Sequence, residues 1–319
     1  MKKLLLQLLA LPAIAFAQTP TPPPPAPAPP AVAESAPPAP KPSLWKLDMQ
    51  TGLNINQATY SDNWKAGGVS SVAVSTFLNA KAVRKTELSE WTNDLQLLYG
   101  TVANEGQSVR KNADRIFFDS KYAKKLSPKW NMFGSVNFMS QFDAGFAYTK
   151  VKDVEVAKRI SGFMSPGYFT EALGFEWKPV SYFSAQFGLG AMRQTLVTDQ
   201  TLYDKYDSTA KEFNELYGVK RGENMRNQAI FQVVLNYDKE IMKNVVLKWR
   251  YMGLLDYERL EGQYIVSRVD ASITAKVNKY ISTNLSAVFL YDYDQDKDLQ
   301  FSQVLSLGVL YNFSNHSTK

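Results

Sequence analysis

From Trp45 to Phe313 apolar side chains recur at every second position. Only an extended strand places residues i, i+2 and i+4 on one face, so this period of two limits the chain to β-architecture. In the first segment Trp45, Leu47, Met49, Leu53 and Ile55 oppose Lys46, Asp48, Gln50, Asn54 and Asn56. The pattern returns through Val72–Ala80, Trp91–Tyr99, Ile116–Tyr122, Trp130–Phe138, Phe169–Trp177 and Phe183–Leu189. It then continues through Phe231–Tyr237, Val245–Tyr251, Val269–Ala275, Leu285–Tyr291 and Leu305–Phe313. These are twelve segments. At about 11 to 13 residues most are long for a soluble sheet and suit a tilted strand crossing a bilayer.

The connections add a second, independent pattern. Short ones, near 84–88, 126–129, 178–181, 239–244 and 278–280, alternate with longer ones near 57–68, 103–112, 143–167 and 195–225, while 258–263 and 294–298 are compact exceptions. Outer-membrane barrels alternate in this way, with tight periplasmic turns, longer outside loops and an even strand count. Trp45, Trp91, Trp130 and Trp177 fall near the expected periplasmic strand ends, where an interfacial girdle belongs. The expected fold is therefore an all-β, transmembrane, antiparallel up-and-down barrel of about 12 strands. A soluble β-sandwich produces the same binary alternation, and periodicity alone leaves it open.

Composition separates the ends from this body. Of 16 prolines, 13 lie at or before Pro42, leaving only Pro128, Pro166 and Pro179 in the remainder. Residues 1–17, with Lys2 and Lys3, an apolar stretch from Leu4 to Phe16 and Ala15-Phe16-Ala17, read as a secretory signal peptide. Residues 18–43 are dominated by Pro and Ala and read as an extended, disordered periplasmic tether. The barrel is expected over 44–313, with 314–319 as a tail and both termini periplasmic. Beyond the signal no apolar run is long enough for a helical membrane span.

Several function classes lose support. The chain has no cysteine, which removes disulfides, thiolate nucleophiles and cysteine-bound metals. Its one histidine, His316, is the fourth residue from the end, a poor place for a hydrolase base. A net charge of +6 spread among interleaved acids gives nucleic-acid binding little support. No cofactor is expected.

The stretch from Leu44 to Phe313 resembles a family of exported Bacteroidota outer-membrane barrels of unknown function, on the run Asn63-Trp64-Lys65-Ala66-Gly67-Gly68 before the second strand. The closing run Gly308-Val309-Leu310-Tyr311-Asn312-Phe313 is similar to the terminal signal read by the barrel-assembly machinery, although Ser314 to Lys319 follow it. The resemblance implies an outer-membrane barrel with lipid and assembly-machinery contacts, and no particular substrate. Further partners in the periplasm or outer membrane are compatible with it.

Inside such a barrel, strand parity turns eight cations and seven anions inward, a balance expected of cross-strand pairing rather than of a one-sign selectivity ring. Lys248, Arg250 and Arg268 form the best candidate anion-contact cluster, with Asp256 and Asp270 placed to neutralise it. In the outside loops Trp64, Gly67 and Gly68 suit a turn with an interfacial anchor, and Trp64 could stack on a sugar. Leu202, Tyr206, Ala210, Phe213 and Tyr217 recur at helical spacing, which predicts a short amphipathic helix able to cap the mouth or dock on a neighbour. Val151, Val154, Ala157 and Ile160 predict a weaker one. The leading functional expectation is a non-enzymatic barrel, either a narrow channel for small polar solutes or a scaffold subunit. The alternatives are an outer-membrane hydrolase and a periplasmic β-sandwich binding protein.

Overall fold

Each of the twelve alternating segments becomes a strand of one sheet that closes on itself. The computed structural model describes residues 44–61, 69–151, 154–205 and 212–316. In chain order the strands are β1 (Trp45–Ala58), β2 (Ser71–Lys85), β3 (Ser89–Asn104), β4 (Arg110–Lys125), β5 (Trp130–Ser140), β6 (Gly145–Val151), β7 (Val154–Ser161) and β8 (Gly167–Val180). They continue as β9 (Phe183–Leu196), β10 (Glu215–Leu216), β11 (Val219–Lys220), β12 (Met225–Met242), β13 (Val245–Asp256), β14 (Val266–Lys276), β15 (Ile281–Asp292) and β16 (Asp296–Ser314). The closed barrel runs β1-β16-β15-β14-β13-β12-β9-β8-β5-β4-β3-β2, antiparallel throughout. An open sandwich is thereby excluded, because β1 and β16 pair from Asp48 with Ser314 to Ile55 with Leu307.

Residues just past the last strand hold this seam. The Asn315 side chain accepts a hydrogen bond from Leu47 N at 2.8 Å and donates to Trp45 O at 3.0 Å, while His316 Nε2 lies 3.1 Å from Asp48. The segment after Phe313 thus begins as a clasp on β1.

Alternation now appears as exposure. On β16, Leu305, Leu307, Val309 and Tyr311 face outward at 58–62% exposure, while Ser306 and Leu310 between them are each 6% exposed. The same division holds around the ring, so the apolar side of the wall is the outside. Polar exceptions on that side include Asn93, Ser120 and Glu171.

Strand β9 breaks its own parity. Gly174 of β8 approaches β9 so closely that a Cβ there would overlap Phe187 O, and the registers shift around Leu189. The bulge turns the rest of the strand over: Arg193 and Thr195 become buried, and Met192 faces out.

Among the described residues the expected loop helices are not α-helical, and residues 206–211 in the middle of the first lie outside the described residues. Residues 200–203 make a single 3-10 turn, and residues 215–220 form the β10–β11 hairpin, whose Tyr217 and Gly218 both have positive φ (55° and 76°). A two-residue hairpin connection with both φ positive matches strand twist, and an α-helix cannot contain it. The other predicted helix is the β6–β7 hairpin, because Val154, Val156 and Ile160 fit a strand at least as well as a helix. A second 3-10 turn spans Gly262–Tyr264.

Candidate functional site

The lumen gathers charged side chains from strands on opposite walls. Strands β4 and β14 stand six places apart in the twelve-strand ring, on opposite walls, yet Arg115 of β4 reaches Asp270 of β14 at 3.5 Å. Beside this pair Arg250 of β13 reaches Asp119 of β4 at 3.4 Å, five places away. Arg268 donates through Nε and Nη2 to both oxygens of Asp270 at 2.7 and 2.8 Å, and the Arg115 guanidinium stacks over the Phe117 ring. Three arginines and two aspartates therefore meet across the bore.

An apolar cluster fills another part of the interior. Ile230, Leu254, Val266, Ala172, Ala191, Phe133 and Ala123 are all buried, with Met252 packed against them. Elsewhere Lys121 pairs with Glu176, which also accepts from Asn131 at 2.9 Å. Arg193 donates to Asp292 at 3.0 Å, both buried, with its guanidinium over Tyr168.

The long-loop rim carries a second ionic cluster. Arg226 and Arg259 converge on Asp294 at 2.7 and 2.6 Å, and both also approach Asp256, which accepts from Gln228 at 2.8 Å. Burial raises the cost of charge on Asp294, but hydrogen bonds from Arg259 and the charge of Arg226 outweigh it and hold this carboxyl below the usual carboxylate range. The reciprocal bonds hold the Arg259 proton more tightly than usual. Nearby, Val197, Leu202, Tyr203 and Val219 form a small buried core with Leu216 and Tyr217 against it. Tyr217 donates to Ile160 O at 2.9 Å, and burial pushes its hydroxyl up to about 12.

The predicted lumen residues divide accordingly. Arg250, Arg268 and Asp270 come together, joined by Arg115 and Asp119. Lys248 instead pairs with Asp238 at 3.0 Å near the short-turn rim, with both side chains more than half exposed, and Asp256 belongs to the opposite rim. Of the loop candidates, Phe213 is described: it is 40% exposed, with Lys158 Nζ 3.6 Å from its ring centre. Trp64, Gly67, Gly68 and Tyr206 lie outside the described residues. Sequence reasoning missed Arg193, hidden by the bulge, and Arg226, Arg259 and Asp294, which converge from separate strands and loops. Among the described residues no group of His, Asp and Glu side chains is arranged to hold a metal.

A family described as a protein of unknown function (DUF3078) matches residues 55–146. No curated protein matches the sequence. Among solved structures the chain is similar to the NanC porin, with 10% identity and a TM-score of 0.37 over 82% of this chain and 98% of that one. It is also similar to the translocator domain of autotransporter NalP from Neisseria meningitidis, with 11% identity and a TM-score of 0.36 over 84% and 88%. An outer membrane channel from Pseudomonas putida F1 matches with 8% identity and a TM-score of 0.36 over 85% and 94%.

Proposed function

We propose that the protein is a non-catalytic outer-membrane barrel, with both termini periplasmic, whose lumen is a narrow passage for small polar solutes held shut here by its own ion pairs. The outward face supports the bilayer setting. A continuous belt of half-exposed Leu, Val, Phe and Trp side chains is far larger than the apolar patches that soluble monomers carry. The alternation of short and long connections supports the orientation, since outer-membrane barrels keep their short turns in the periplasm.

One observation carries the passage itself: the Arg115–Asp270 contact between opposite walls. Charges that neutralise each other across a bore, with Arg268 as a second partner, can be exchanged for a solute ion without breaking any strand pairing. Twelve strands give a width at which a few side chains decide between open and shut. The buried Ile230–Leu254–Val266 cluster favours a second reading, a scaffold subunit with a permanently filled interior.

Planar-bilayer recording separates the two. Wild-type protein is expected to show rare, small openings, and the Arg115→Ala/Asp270→Ala double variant frequent and larger ones. Silence from both proteins, with the barrel folded, overturns the passage in favour of the scaffold. Hydrolysis of phospholipid by purified protein would refute the non-catalytic reading.

A further inference from the structure

One stretch of the outward wall departs from the apolar rule in an organised way. Trp45, Arg84, Trp91, Tyr122 and Gly134 are successive cross-strand partners, so they form one lateral row over β1 to β5. Arg84 is exposed between the two tryptophans, whose ring centroids are 5.3 Å apart, and it has no ion-pair partner among the described residues. A cation on the lipid side is costly at the bilayer midplane and close to neutral near an interface, so Arg84 belongs at headgroup level, as its tryptophan neighbours do.

Two residues farther from the turn, about 6.6 Å along the strand, Asn93 and Ser120 pair on the same outward face. Trp91 Nε1 donates to Ser120 Oγ at 3.0 Å, and Ser120 Oγ donates to Asn93 Oδ1 at 2.7 Å. This occupies the Asn93 acceptor and leaves its amide N–H groups without a partner among the described residues. The missing side chain at Gly134 opens a groove of about 500 Å³ bounded by Arg84, Trp91, Ser120, Tyr122 and Val136. On the turn side of Tyr122, exposed Lys124 adds a second cation.

The geometry points to a binding site for one glycerophospholipid of the leaflet at the short-turn rim. Arg84 takes the phosphate, for which a guanidinium is well shaped. The Asn93 amide donates to a glycerol ester carbonyl, and one acyl chain lies in the groove over Gly134 against Tyr122 and Val136. The Arg84 cation and the Gly134 notch share one row, and the Asn93 amide lies one row farther from the turn, level with Val136 at the groove's inner end, so a headgroup held at Arg84 brings its ester to Asn93 and its chain into the groove. The site needs the outward face to lie in a bilayer, but it is independent of whether the lumen conducts.

Native mass spectrometry of the full-length protein in detergent, titrated with phosphatidylglycerol, tests this. Wild-type protein is expected to retain one lipid. Arg84→Gln and Gly134→Leu should each weaken retention at least tenfold by removing different parts of the site, and Arg84→Lys should restore part of it. Gly134→Leu is a fair filling variant, because a Cβ there meets only the exposed Leu173 side chain, at 3.1 Å. Heat-dependent mobility on gels reports whether each variant keeps its barrel. Equal retention by wild type and both folded variants overturns the site, as does displacement of the lipid by inorganic phosphate alone, which would mark a free-anion site. A protein that carries no detergent belt would refute the membrane placement itself, an outcome distinct from the other two.

Discussion

Asp270 stands between the guanidinium groups of Arg115 and Arg268, and its neutralising role is larger than either contact suggests. Removing the carboxylate leaves two partly buried cations facing each other, so Asp270→Ala is expected to cost about 3 kcal/mol, the low end for breaking a buried pair. Replacing all three groups with apolar ones, as in Arg115→Met/Arg268→Met/Asp270→Leu, is expected to cost much less, because the carboxylate and both cations it neutralises leave together. Urea unfolding in detergent micelles measures both. At the long-loop rim the sign of a pH effect follows from Asp294. Its folded carboxyl releases its proton more readily than the ordinary value of about 3.9, so its contribution is complete above about pH 4 and is lost as pH falls further through the folded value. Thermal unfolding from pH 6 to pH 3 should therefore show a steeper acid loss for wild type than for Asp294→Asn. Arg250, Arg268 and Asp270 were legible as inward residues because β13 and β14 keep a strict period of two. Arg226, Arg259 and Asp294 meet only after separate strands and loops are placed, and no local spacing announces that.

At the scale of elements, the twelve barrel strands and their short turns could be read from alternation, since each strand has one wet and one apolar face. The turnover of β9 could not. Its signal was the run Gly188-Leu189-Gly190, together with Gly174 on the neighbouring strand, but glycine spacing does not say which strand takes the extra residue. Gly174→Val should force β8 and β9 apart where Phe187 O now fills the space, with a loss of about 1–3 kcal/mol and faster exchange of amides near Arg193. Helical spacing at Val151, Val154, Ala157 and Ile160 gave way to the β6–β7 hairpin because a few apolar residues three or four apart also satisfy a short strand, while the expected Leu202–Tyr217 helix has a 3-10 turn at its start and a hairpin from Glu215 at its end. Asn315→Ala removes two hydrogen bonds that hold β1 to the last strand. At about 1 kcal/mol each, their loss should lower the unfolding midpoint of the reconstituted protein without changing its strand content.

For the whole molecule, the central claim is that a closed wall turns its apolar side to lipid and its charged side to a narrow bore. The seam between β1 and β16, the exposure of alternate residues and the cross-lumen arginines all belong to that one arrangement. The absence of native cysteine makes it directly testable, because a single introduced cysteine is the only attachment point for a label. Spin labels placed one at a time from 305 to 310 on β16, in protein reconstituted into lipid bilayers, report contact with dissolved oxygen in lipid or with a water-borne nickel reagent. Labels at 305, 307 and 309 should favour oxygen, while those at 306, 308 and 310 should be shielded from it. Uniform exposure to the nickel reagent along the strand, or a reversed alternation, would contradict the account.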